Sequence, residues 1–478
     1  MFTIIRSFSN QPYLYDSGTN EFYALDEQSC ATLEQADGKV SGCADETLRN
    51  QLIDGGINDD QLTVISIDGF IAAFHKLISE ESAAALFGKL TFGMTERCNL
   101  RCKYCIYSGE YESERTHATE GRDLSLETAD KTLNHYMRKA QKPEFVIFYG
   151  GEALLNFPVL QHIVERVKRE SPGTRFSITT NAILLSDKGK LDYLLDNGFM
   201  LNISFDGPQQ QTARVDCAGN GTYERVYGIL QSIYDRDAVY FNSHVMLNIV
   251  ITPMHSLLEI KRYFDETPIF ANCTLSPIFA YDPDSIYVKK YCLEQQQQLN
   301  IAELAELRAE FAKDYRQASP FLKGIYLQQM QQLNQRGMGR PDYLALHSCC
   351  LPGYGNMFVN SEGKLNMCER AERIVLGTVD DFSSIEQQAT KALETYRALV
   401  EKYCCGCWAN RICSRCFATI DRGDISEAAF VSDCDRLREN YARQLQIFLT
   451  IKEQDENALD ELDGQGVDYN EQVRDFTM

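Results

Sequence analysis

Three cysteines fall within eight residues in the stretch "MTERCNLRCKYC", where Cys98, Cys102 and Cys105 form a C-x3-C-x2-C run. A tetrahedral zinc site wants four protein ligands, and so does a cubane cluster held wholly by protein. Three thiolates would hold three irons and leave the fourth iron open to a ligand that is not a side chain. A second cysteine field lies far downstream, in "HSCCLPGYGNMFVNSEGKLNMCERAE" and "CCGCWANRICSRCFATI", with Cys434 beyond it. It supplies Cys349, Cys350, Cys368, Cys404, Cys405, Cys407, Cys413 and Cys416. The chain has 17 cysteines in 478 residues, and most sit in these clusters. Cys30, Cys43, Cys217, Cys273 and Cys292 are scattered and are expected to be small buried hydrophobes. Disulfide scaffolds are usually short and secreted, so metal is the economical reading of the grouped cysteines.

The elements that must carry these residues follow from periodicity. From about residue 88 the chain alternates strand and helix, with strands expected near 89–95, 144–149, 175–180, 200–205, 244–252 and 273–279. Helices are expected near 125–141, 157–170, 186–197, 222–235 and 255–264. Runs such as "FVIFY" and "VMLNIVIT" are nearly continuous in apolar residues, as in strands buried on both faces. Such units predict an α/β fold, a partial (βα)6 TIM-like barrel whose active end lies at the strand C-termini. The cysteine loop, "GGE" at Gly150, Gly151 and Glu152, and "SFDG" from Ser204 all follow such strands.

Residues 1–85 read as a small α+β domain, with a hairpin turning at Asp16–Asn20 and two glycine-stopped helical patches. Residues 286–340 form a helical bridge, with Leu293, Leu304, Leu307 and Phe311 at helical spacing. Residues 341–440 show little periodic pattern and are expected to lean on metal for stability. Residues 441–478 run from a helix into an acidic tail expected to fray.

The cysteine spacing resembles that of the radical S-adenosylmethionine (SAM) enzymes, and the other motifs agree with it. The resemblance implies a four-iron four-sulfur cluster on Cys98, Cys102 and Cys105, with SAM completing the open iron. Reductive cleavage would then give a 5'-deoxyadenosyl radical that takes a hydrogen atom from a substrate. It further implies that Gly150, Gly151 and Glu152 bind the methionine amino group and that Ser204 and Asp206 contact the ribose. Tyr104 would sit by the adenine, and Arg214 would hold the SAM carboxylate.

The second field resembles the SPASM extension of peptide-modifying radical SAM enzymes. Gly363–Cys368 fits its G-x4-C and Cys404, Cys407 and Cys413 fit its C-x2-C-x5-C, whereas Cys416 follows one residue earlier than in the family. One auxiliary cluster would use Cys350, with Cys349 as the alternative, together with Cys368 and Cys416. The other would use Cys404, Cys407, Cys413 and Cys434. The doubled Cys349–Cys350 and Cys404–Cys405 leave the choice at both places open. Glu369 matches an acid that deprotonates the substrate residue in sulfatase maturases; an ordinary surface glutamate is the other reading. The N-terminal unit resembles the winged-helix-like peptide-recognition element of many maturases.

The expected function is therefore modification of a ribosomally made precursor peptide bearing a leader sequence, with an electron donor such as flavodoxin or ferredoxin. A thioether cross-link is favoured because "CIYSGEYESERTH" is similar to sequences in maturases of cysteine-rich peptides. Carbon–carbon cross-linking and formylglycine formation by an anaerobic sulfatase maturase are the alternatives within the class. A zinc-stabilised binding module is the alternative outside it. The net charge of −21 weighs against nucleic acid as a partner. The absence of any apolar stretch near 18 residues weighs against a membrane, and a cytoplasmic protein is expected.

Overall fold

The computed structural model describes residues 1–70, 88–107, 117, 120–139, 142–279, 294–346, 356–415 and 427–462. Its first element is an antiparallel meander of β1 (Phe2–Arg6), β2 (Pro12–Asp16) and β3 (Glu21–Ala24). Asp16 closes the β2–β3 turn by accepting from the Thr19 amide at 2.8 Å, and Asn20 takes the left-handed conformation there (φ +61°). Two helices follow, α1 (Glu27–Glu34) and α2 (Glu46–Asp54), each started by an aspartate, Asp26 or Asp45, that accepts from an amide three residues on.

This unit is two-faced. Phe2, Leu14, Leu33, Leu52 and Ile57 form a small core of their own, while Ile5 and Tyr15 join the main core of the molecule. Tyr15 meets Trp408 edge-on at 6.3 Å, and Phe22 lies 5.7 Å from Phe448.

The central sheet contains the six expected parallel strands, each beside the next: β4 (Lys89–Gly93), β6 (Phe145–Tyr149), β7 (Arg175–Thr180), β8 (Met200–Ser204), β10 (Val245–Ile251) and β11 (Thr274–Phe279). Between them run α3 (Leu126–Tyr136), α4 (Phe157–Glu170), α5 (Lys188–Asp196), α6 (Tyr223–Arg236) and α7 (Leu257–Glu266). The strands were expected to be buried on both faces, but β6, β8 and β10 alternate. Leu201, Ile203, Leu247 and Ile249 are fully buried, whereas Asn202, Ser204 and Asn248 are half-buried. The partial barrel leaves one face of these strands less enclosed, and that face carries the polar side chains.

The sheet does not stop at β4. β12 (Asn356–Val359) pairs with it in parallel, Asn356 opposite Lys89 and Val359 opposite Phe92. β13 (Lys364–Asn366) and β14 (Val375–Thr378) then continue antiparallel, making nine strands in all. The turn between β12 and β13 needs Gly363, which has φ +80° and whose Cβ would stand 2.8 Å from Val379.

The stretch 341–440, expected to be poor in periodic pattern, instead holds a long helix, α10 (Ile385–Tyr403), which follows α8 (Glu294–Lys313) and α9 (Pro320–Asn334). Helix α10 buries Ala389, Ala392, Leu393, Tyr396, Leu399 and Val400, a helical stripe that the cysteine-dense stretches on either side obscure in the sequence. The last long helix is α11 (Cys434–Gln454). In the bridge, Leu307 and Phe311 are buried as expected, and Leu293 lies outside the described residues, as does the acidic tail beyond 462.

His135 on α3 stacks on Phe382 at 3.8 Å, tying the barrel to the C-terminal unit. Burial pushes this imidazole down from 6.5 to about 4, helped by the nearby Lys139 charge. The unfolded chain therefore takes up the proton first, so this group costs stability as pH falls from about 6.5 toward 4. His135→Phe is expected to hold its thermal midpoint better than the parent over that interval. Equal losses in the two proteins on acidification would refute this role for the stack.

Candidate active site

The cysteine loop leaves the end of β4 and is fastened on both sides. On one side, the amides of Gly151 and Glu152 donate to the carbonyls of Thr95 (2.8 Å) and Arg97 (2.9 Å). The glycines are needed because a Cβ on Gly150 would stand 2.5 Å from the Thr95 oxygen, and one on Gly151 2.2 Å from the Arg97 oxygen. The close approach that this pair permits is to the chain's own cysteine loop, where the sequence suggested a ligand. On the other side, β5 (Leu100–Cys102) pairs antiparallel with β9 (Arg214–Asp216), which sets Cys102 opposite Arg214.

Asp206 is fully buried and its carboxylate is saturated. It accepts from Arg214 Nε (2.7 Å) and Nη2 (3.2 Å), from the Val250 amide (2.8 Å) and from the Tyr104 hydroxyl. A carboxylate offers about four acceptor directions, so none remains for a ribose hydroxyl. In this structure Asp206 fixes Arg214 and Tyr104, and a ribose hydroxyl would have to take the place of one of these donors. Arg214 also lies 5.3 Å from the Tyr104 ring centre. Its guanidinium faces the Cys102 thiol and works against the burial that pushes that thiol up to about 11. Burial likewise pushes the Cys98 thiol up to about 12. Ser204 ends β8 on the half-buried face.

Glu152 is buried as well and accepts from Thr180 Oγ1 (2.8 Å), the Asn181 amide (2.8 Å) and the Leu154 amide (3.2 Å). One acceptor direction of about four is left for an ammonium group. Burial raises the pKa of this carboxyl against the pull of those donors.

Asn181 was not singled out from sequence. Its amide nitrogen donates to Asn99 Oδ1 at 2.8 Å and lies 3.9 Å from Cys98 Sγ. The signal for it was a polar "TTN" ending a buried strand. His117, whose Nδ1 lies 3.7 Å from Cys105 Sγ, had no such signal.

The second cysteine field divides. Cys404, Cys407, Cys413 and Cys434 line a single cavity together with Arg415 and Tyr441. Cys404 caps the C-terminus of α10 and Cys434 begins α11, with Cys407 and Cys413 in the stretch that follows α10. Cys405 is absent from that lining and has Glu401 and Arg397 as its charged neighbours.

Four thiols with no carboxylate among the described lining residues form a soft donor set, suited to iron–sulfur or zinc and unsuited to magnesium or calcium. Among the described residues, no three His, Cys, Asp or Glu side chains stand close enough to share one metal ion. Thiolates that each bind a different iron of a cubane need not meet that condition.

Cys368 follows β13, and the next residue, Glu369, accepts from the Tyr107 hydroxyl at its carbonyl (3.3 Å), so this turn lies against the end of the first cysteine loop. Cys349, Cys350 and Cys416 lie outside the described residues, as does most of "CIYSGEYESERTH". Of the scattered cysteines, Cys30, Cys43 and Cys273 are buried as expected. Cys217 is exposed, and Cys292 lies outside the described residues.

Residues 93–266 match the family described as Radical SAM superfamily. That segment, about a third of the chain, is similar to the radical SAM domain. Its relatives include a cysteine-type anaerobic sulfatase-maturating enzyme of Clostridium perfringens, 27% identical over 194 residues, which is 38% of this chain and 50% of that protein. A radical SAM cyclopropyl synthase of Paramaledivibacter caminithermalis is 24% identical over 198 residues, 37% of this chain and 41% of that protein. The chain thus spans half or less of these curated relatives.

The fold is that of a structure described as native anSMEcpe with bound AdoMet, with a TM-score of 0.55 at 19% identity over 76% of this chain and 99% of that one. The same protein with bound AdoMet and Kp18Cys peptide gives 0.54 at 18% identity over 79% and 99%. A radical SAM domain implies SAM and one four-iron four-sulfur cluster. No helix among the described residues is long and apolar enough to cross a membrane.

Proposed function

We propose that this chain is a maturase that modifies a ribosomally made precursor peptide, and that the product is a thioether from a cysteine thiol to a carbon of the peptide. The observation that carries this reading is the joining of two cysteine sites in one sheet. The loop of Cys98, Cys102 and Cys105 leaves β4, and the strand beside β4 opens the C-terminal cysteine region. When bound, SAM and a reduced cluster supply a 5'-deoxyadenosyl radical at the barrel mouth.

The chain's residues serve that chemistry by position. Cys98, Cys102 and Cys105 hold the cluster, and the Gly150–Glu152 turn clamps their loop. Glu152 keeps one acceptor direction for the SAM ammonium. Asp206 fixes Arg214 for the SAM carboxylate and Tyr104 near the adenine, while Ser204 faces the ribose. Cys404, Cys407, Cys413 and Cys434 hold a second cluster, and Cys368 with Cys349 or Cys350 and Cys416 a third. Residues 1–85 bind the leader by adding a strand to the meander, residues 286–340 bridge, and a flavodoxin- or ferredoxin-type donor supplies the electron.

A second reading, formylglycine formation, is favoured by the sulfatase-maturating relatives, with Glu369 as base. Deleting the N-terminal unit would not separate the two readings, because Ile5 and Tyr15 belong to the main core and their loss would unfold more than the leader site. Mass spectrometry separates them. Anaerobic holoenzyme given SAM and a cysteine-rich precursor is expected to remove two hydrogens per event and keep every sulfur. Loss of sulfur with gain of oxygen would overturn the thioether in favour of formylglycine.

A further inference from the structure

Arg415 is 3% exposed, and among the described residues neither of its terminal nitrogens has a hydrogen-bond partner. Its guanidinium lies 4.5 Å from the Phe430 ring centre and lines the cavity of Cys404, Cys407, Cys413 and Cys434. A buried cation with no acceptor is costly, so such a group points to a counter-charge in the functional protein. No carboxylate is found among the described lining residues, and the four thiols beside Arg415 are the groups there whose bound ligand would bring a counter-charge.

Arg438 differs. It is partly exposed, is paired with Asp435, and brings Nη1 only to 4.0 Å from Cys407 Sγ.

A cluster on four thiolates is anionic and gains one further negative charge on reduction, and its potential responds to net charge and to hydrogen bonds on sulfur. A fixed cation in a water-poor cavity favours the more negative form. We propose that Arg415 is the positioning residue that sets the reduction potential of the cluster held by Cys404, Cys407, Cys413 and Cys434, favouring its reduced state. This rests on the reading of that cavity given under the proposed function. Two residues beyond Cys413, with its carbonyl held by the Tyr396 hydroxyl at 3.2 Å, Arg415 is tethered on the wall of the cavity that the four thiols share.

The test is a redox titration of anaerobically reconstituted holoenzyme, followed by electron paramagnetic resonance. R415M is expected to keep its iron while one cluster shifts to a more negative potential. R415K should stay near the parent, and R438M should shift less than R415M because water already screens Arg438. Full iron with every potential unchanged in R415M overturns the inference and leaves the cluster standing. Should R415M not take up iron, R415Q, which keeps a donor without the charge, carries the same expectation, and an unshifted potential there overturns it. A C404A/C413A variant that loses no iron overturns the underlying assignment of the cavity.

Discussion

Replacing Cys98, Cys102 and Cys105 together by alanine is expected to abolish release of 5'-deoxyadenosine, down to the rate of protein-free controls. Iron in the reconstituted protein should fall by about four per chain, the content of one cubane. The fold should survive, because alanine removes no hydrogen-bonded charge at these places: Cys98 and Cys102 are desolvated thiols that burial holds protonated in the metal-free protein. The loop that carries them is held by backbone, through β5–β9 and the amides of Gly151 and Glu152, and none of those bonds uses a cysteine side chain. Circular dichroism and thermal midpoint should therefore match the metal-free parent. A triple variant that still makes 5'-deoxyadenosine at the parent rate would remove the basis of the proposed function.

The largest expected loss of stability is at Asp206. Asp206→Ala strips the carboxylate from a buried Arg214 and leaves the Tyr104 hydroxyl and the Val250 amide without their acceptor. Removing one partner of a buried ion pair costs about 3–5 kcal/mol, because the remaining charge stays desolvated. Urea unfolding should show that loss as a lower midpoint. Arg214→Met with Asp206→Ala should cost less than the two single changes added together, since the double variant no longer buries a lone cation. Strict additivity, or an Asp206→Ala protein as stable as the parent, would mean that the pair does not act as a unit.

Much of the barrel was legible beforehand, and for a physical reason. Strands such as β6, β7 and β10 are short apolar runs separated by helices with clear stripes, so their limits could be read to within two residues or so. The less enclosed face was not legible, because Asn202, Ser204 and Asn248 look like ordinary polar breaks until the curvature of the sheet puts them on one side. Strands β12 to β14 escaped for another reason. They are three or four residues long, shorter than any periodic window, and their pairing with β4 is long-range. At the site, spacing alone brought out the cysteines. It could not foretell that Asp206 spends its acceptor directions on Arg214, Tyr104 and Val250, because that depends on a strand 44 residues further on.

The parallel ladder between β4 and β12 constrains how these enzymes can be recombined. A chimera that exchanges the C-terminal region for that of a protein of similar fold must carry a strand whose edge matches Lys89–Phe92 in register, because four residues of each partner are paired there. A splice placed between residues 356 and 359 would shear that seam. One placed upstream of residue 356 would transplant the whole β12–β14 ribbon, and the new cysteine cavity would travel with its own girder.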